Sequence, residues 1–217
     1  MSMENTEKKL AEKSLAALQQ SGFDRAACRV SADELHELQA ENAEINLFRT
    51  NFETDISLAG IKDEKKASIS INRVDDATVN GAVTDLKAMA AGSSPDSAHD
   101  IAPAQAHASF SGGIEEPDYD LMYDRVSEMQ SYAAEKYPLL NLRSTGITFY
   151  KRKSCYLNTN DVCFQTRRGL YQISLSFSSK EGTDTSSMMY TGYSSYDLDT
   201  PIFEATNVDM LLQQSTE

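Results

Sequence analysis

The residues of this chain best suited to hold a metal or to act as nucleophiles are three histidines and three cysteines. His36 opens the stretch His36-Glu37-Leu38-Gln39-Ala40-Glu41-Asn42, which begins as a zinc-protease helix begins. Such a helix needs a second imidazole one turn later, so that both nitrogens leave one face and reach one ion. Ala40 holds that place, and Glu41 holds the place that a spacing longer by one residue would require. His99 and His107 fall in a stretch rich in Ala, Ser, Pro and Gly, where nothing fixes their geometry. None of the three is read as a metal ligand. His36 is expected to be a polar residue on an amphipathic edge.

Cys28, Cys155 and Cys163 are odd in number and irregular in spacing, which is no disulfide framework and fits a reducing compartment. Cys155 and Cys163 flank what reads as a hairpin and are expected to be small buried thiols. The acidic neighbours Glu115-Glu116, Asp75-Asp76 and Asp197/Asp199 are what chance provides among 33 acidic residues, and they read as caps and solvated turns. Gly112-Gly113 lacks the preceding strand, the spacing and the Lys of a phosphate loop. No catalytic, cofactor-binding or metal-ligating residue is assigned.

The formal charge of -13 disfavours a phosphate surface, which needs concentrated positive charge. Lys151-Arg152-Lys153 and Arg167-Arg168 are short basic groups that read as solvated strand ends. No apolar run is long enough to cross a bilayer, and the opening "MSMENTEKKLAEK" is polar. These observations exclude nucleic acid and membrane as partners and point to a soluble, cytoplasmic protein.

The elements that must position any site follow from periodicity. Ala11, Leu15 and Leu18 predict a helix over 6–20, ended by Ser21-Gly22. A short strand is expected over 26–30. The segment 34–42 fits helix or strand equally. Period-two stretches follow, with Ile45 and Leu47 and then Ile69 and Ile71, separated by Gly60 and a polar turn. Val79, Val83, Leu86 and Ala90 mark a second helix capped by Asp75 or Asp76. Residues 92–118 hold three of the five prolines and read as a linker or crossover. Met122, Val126, Met129 and Ala133 mark a third helix, stopped by Pro138. Beyond it come alternating strands, with Asn158-Thr159-Asn160-Asp161 as a hairpin turn. The fold class is α+β, with two sub-domains and long antiparallel sheets that carry helices on one face. The expected division is a first sub-domain over 1–91, a linker over 92–118, a helix with an antiparallel meander over 119–200, and the start of a further helix or tail over 201–217.

This order resembles the first two-thirds of the TldD/PmbA proteins, once called modulators of DNA gyrase. The resemblance rests on "RAACRVS" (25–31), "ELHELQAENAEINLFRTNFETDISL", "SSPDSAHDIAP" and "CYLNTNDVCFQTRRGLYQISLSFSSKEGTDTSSMMYTGYSS". The chain departs from the pattern where Asn158–Asp161 replaces a Ser-x-Gly turn and where no Gly follows Asn42. The resemblance implies a zinc metallopeptidase family whose two histidines and base glutamate lie on a helix beyond the matched region. This chain then corresponds to a non-catalytic N-terminal portion, either an expressed fragment or a naturally short relative, with no cofactor of its own. Implied partners are a second family subunit, in a homo- or heterodimer, and an extended peptide substrate. The alternative is a self-contained α+β binding or adaptor protein that uses Tyr190, Tyr193 and Tyr196. Packing is the favoured reading of those tyrosines.

Overall fold

Four strands of 17, 19, 19 and 20 residues frame the molecule, each about three times the usual strand length. The computed structural model describes residues 6–42 and 44–217. The elements are α1 (Thr6–Gln20), β1 (Arg25–Glu41), β2 (Glu44–Lys62), β3 (Lys65–Ile71), α2 (Asp76–Gly92), β4 (Ala108–Gly113) and α3 (Tyr119–Lys136). They continue with β5 (Leu140–Asn158), β6 (Val162–Glu181), β7 (Asp184–Thr185), β8 (Met189–Ser195), a 3-10 turn (Ile202–Glu204) and α4 (Val208–Thr216). The class is α+β. The strands join in the order β3-β2-β1-β5-β6-β4, with β7 and β8 also pairing β6.

Two compact units form. The first holds the chain up to Asp33, Phe52–Gly112 and Arg152–Arg167, and the second holds Glu34–Asn51, Gly113–Lys151 and Arg168–Glu217. The expected cuts at 92 and 118 followed chain order, and the units do not. Strands this long supply one stretch to each core, so each unit is assembled from three pieces of chain.

In the first unit α1 and α2 bury Ala11, Leu18, Val79, Val83 and Leu86 against Cys28, Val30, Ile56 and Leu58. Asp75 caps α2 by accepting from the Thr78 N–H at 3.0 Å. Asp63 and Glu64, both at positive φ, form the β2–β3 turn. Of the segment read as a linker, the residues up to Gly112 belong to this unit and those from Gly113 on belong to the second. The Ala102 carbonyl accepts from Asn158 and Asn160 at 2.9 and 3.1 Å, and Arg25 pairs with Asp100 at 2.9 Å. Asn158 and Asp161 make the β5–β6 turn as expected. Asp161 has φ 59°, and Asn158 Oδ1 accepts from the Asn160 and Val162 N–H groups at 2.9 and 3.2 Å.

In the second unit α3 buries Met122, Val126, Met129 and Ala133 over Ile147, Phe149, Tyr171, Ile173, Leu175 and Phe177. α4 is a docked helix: Val208 and Leu212 are buried in the same core. Tyr193 packs there too, whereas Tyr190 is 76% exposed and Tyr196 is half-exposed beside Arg168. Packing therefore describes one tyrosine of the three. A spacing of three on a strand sends neighbours to opposite faces.

Candidate functional site

"HELQAEN" lies in a strand. Residues Arg25–Glu41 are continuous β1, so alternation replaces a helical turn, and His36, Leu38 and Ala40 point into the second unit. Thr159 donates its N–H to Ala26 in the first unit, and Asn42 donates to Arg143 in the second. From β5, the strand that pairs β1, Lys151 and Phe149 lie beside Glu34 and His36.

The buried imidazole, 4% exposed, is fixed at both nitrogens. Nε2 lies 2.7 Å from Glu34 Oε1. A carboxylate can only accept there, so Nε2 carries a proton, and in the neutral imidazole Nδ1 then presents its lone pair. The Tyr119 hydroxyl, from the first turn of α3, lies 2.8 Å from Nδ1, and Thr50 Oγ1 lies 3.1 Å from the same atom. Glu34 continues the chain: its second oxygen lies 3.7 Å from Lys151 Nζ, which also meets Glu116 at 2.5 Å. Lys151 is 8% exposed, so the expectation of a solvated strand end fails for it. Its ion pairs are what let the ammonium stay out of water.

Around this chain of polar groups the rings of Phe149 and Tyr119 lie 6.0 and 5.5 Å from the imidazole, and Phe48 meets Tyr119 edge-on at 5.3 Å. Burial raises the Tyr119 phenol, Glu34 and Glu116 add to the rise, and Lys151 opposes it. Tyr119 thus holds its proton at neutral pH.

The other histidines serve elsewhere, in the first unit. His99 Nδ1 lies 2.9 Å from the Glu64 carbonyl, and His107 Nε2 lies 3.1 Å from Asp161. Cys28, Cys155 and Cys163 are free and buried. Among the described residues, no three of His, Cys, Asp and Glu converge to hold a metal. The zinc ion implied by the family resemblance does not fit the residues present, because His36 already commits both nitrogens to protein partners. Sequence reasoning singled out His36 and missed Tyr119 and Thr50, 83 and 14 residues away. Only Glu34, two residues off on the same strand face, could have been read as its partner.

No protein-family model and no curated protein matches the sequence. Solved structures do match. TldE from Thermococcus kodakarensis superposes with a TM-score of 0.71 at 16% identity, over 95% of this chain and 46% of that one. A candidate modulator of DNA gyrase from Bacteroides thetaiotaomicron superposes with a TM-score of 0.74 at 16% identity, over 100% of this chain and 50% of that one. The chain has their fold. A third, from Thermotoga maritima and described in the same way, gives a TM-score of 0.65 at 8% identity over 96% of this chain and 46% of that one. The chain spans about half the length of these structures. At such identities the likeness is one of fold, and it falls on the proteins that the sequence resembles. No described helix is long and apolar enough to cross a membrane.

Proposed function

We propose that this chain is the N-terminal, non-catalytic module of a TldD/PmbA-like metallopeptidase, with a structural and peptide-enclosing role. Metal-dependent proteolysis belongs to the parent protein, through residues this chain does not supply. The proposal includes a cytoplasmic location and a paired subunit, either a second copy or a related chain. The observation that carries it is coverage: nearly the whole chain superposes on about half of each of three such structures.

An open sheet edge supports the peptide role. β3 pairs only with Ile56–Lys62 of β2, and among the described residues no strand lies outside Glu44–Asn51 in the second unit. Its backbone N–H and C=O groups can pair with an extended peptide while reading little of its side-chain sequence. On the same unit a groove of about 570 Å3 is lined by Thr148, Tyr150, Gln172, Ser174, Gly192 and Ser194. Every one of these side chains is uncharged, which suits a peptide main chain.

The test is binding of a fluorescent, reduced and carboxymethylated polypeptide by the 217-residue chain, followed by anisotropy and product analysis. Saturable binding without cleavage is expected, with weaker binding of a peptide N-methylated at alternate residues. Cleavage by this chain alone, stoichiometric zinc by elemental analysis, or indifference to N-methylation would overturn the proposal. The adaptor reading is favoured by one observation, the 76% exposure of Tyr190 on β8. Under that reading Tyr190→Ser removes partner binding, whereas under the peptide-enclosing reading it leaves peptide binding unchanged.

A further inference from the structure

Tyr119, His36 and Glu34 stand in the order hydroxyl, imidazole, carboxylate, at 2.8 and 2.7 Å. This is the arrangement by which a hydroxyl is made nucleophilic: a base within hydrogen-bond reach, held in one tautomer by a third group. In the neutral imidazole the tautomer is the useful one, because Glu34 claims the Nε2 proton and leaves the Nδ1 lone pair facing the phenol. The imidazole is buried, while 43% of the Tyr119 surface is exposed.

We infer that Tyr119 is an acyl-accepting residue, with His36 as its general base and Glu34 as the positioning residue that orients the imidazole. The acyl donor is an activated ester. The Tyr119 oxygen attacks the ester carbonyl carbon, and its proton passes to His36 Nδ1. The carbon–oxygen bond to the leaving group breaks, and the aryloxide departs. The proton then leaves Nδ1 for that aryloxide or for water. The products are an O-acyl Tyr119 and a phenol, and no oxidant or reductant takes part. The step is a single acyl transfer, distinct from peptide hydrolysis. Because the phenol keeps its proton at neutral pH, it depends on a base rather than on a preformed phenolate.

The probe is p-nitrophenyl acetate at limiting conversion, with acetylated sites located by peptide mass spectrometry. Tyr190 and Tyr123, 76% and 53% exposed, are internal standards in the same molecule. Tyr119 should be acetylated on the order of 10²-fold faster than either, which is the ordinary gain from a positioned general base. The preference should vanish in His36→Gln, and the fast single adduct should be lost in Tyr119→Phe, whose exposed site tolerates the change. Acetylation of Tyr119 no faster than Tyr190 in the unaltered protein would overturn the inference. So would a preference that survives in His36→Gln.

Discussion

The Tyr171 hydroxyl, deep in the core of the second unit, accepts a hydrogen bond from the backbone N–H of Asp118 at 2.8 Å. Asp118 is the N-cap of α3, and its own carboxylate accepts from the Leu121 N–H at 2.9 Å. One core side chain from β6 thus fixes the first turn of the helix that carries Tyr119. Tyr171→Phe keeps the ring and strands a partly buried N–H, so it should cost about 1–2 kcal/mol in chemical denaturation. Tyr171→Ala also opens a cavity and should cost about 3–5 kcal/mol. If the pin also holds Tyr119 in register, Tyr171→Phe weakens the Tyr119 contact to His36. A slower acetylation of Tyr119 in the folded variant measures that effect.

Asp209 ties α4 to α3. Its carboxylate accepts from Tyr132 at 2.6 Å, Tyr137 at 2.7 Å and Lys136 at 2.9 Å. Burial opposes its ionisation, but these three donors together outweigh that and hold the carboxyl below its ordinary value. A carboxylate with a depressed folded pKa adds stability above its unfolded pKa, near 4, and loses it as pH falls through the folded value. The side chain is 38% exposed, so screening limits the contribution to about 1 kcal/mol. Asp209→Asn should therefore be less stable at neutral pH and converge with the unaltered protein in strong acid. A deficit that stays constant with pH would show that the charge is not the cause.

Gly113 and Gly169 meet backbone to backbone. A Cβ on Gly169 would stand 1.9 Å from the Ile114 carbonyl oxygen, and one on Gly113 would stand 1.8 Å from that of Gly169. Gly113 also has φ +75°, while the space around Gly112 is open. Gly169→Ala should cost about 3 kcal/mol or more, since backbone cannot move aside as a flexible side chain can. Gly112→Ala should stay within about 0.5 kcal/mol. Thermal unfolding of the two variants side by side tests the contrast.

Much of the fold was legible because local signals were strong. α1 spans the predicted residues, α2 begins after its predicted Asp75 cap, and α3 buries the predicted stripe. The Asn158–Asp161 turn was legible because its residues tolerate the left-handed backbone that Asp161 adopts. β1 was harder: Leu35 and Leu38 are three apart, a helical spacing, and in the strand they simply take opposite faces. β4 was hidden in a Pro- and Ser-rich stretch because its pairing is supplied by β6, far away in the chain. The site was legible only as His36. Its meaning comes from a tyrosine on another element, and no spacing rule reports a partner 83 residues distant.

The three cysteines make the last prediction. Burial pushes the Cys28 thiol up to about 12. Burial, reinforced by the neighbouring Cys163, pushes Cys155 up to about 12. The thiolate is the reactive form, so at pH 8 only on the order of 10⁻⁴ of each is poised to react, and the core also bars the reagent. Native protein treated with iodoacetamide at pH 8 should gain essentially no adduct at Cys28 or Cys155. In denaturant all three sites should alkylate at the rate of an ordinary thiol. If partial denaturant releases them together, the loss of the first unit's core sets the rate, because Cys28, Cys155 and Cys163 share that core. Labelling of Cys155 ahead of Cys28 would instead locate local opening at the β5–β6 turn, where the Asn160 and Val162 N–H groups both bond to the single side chain of Asn158.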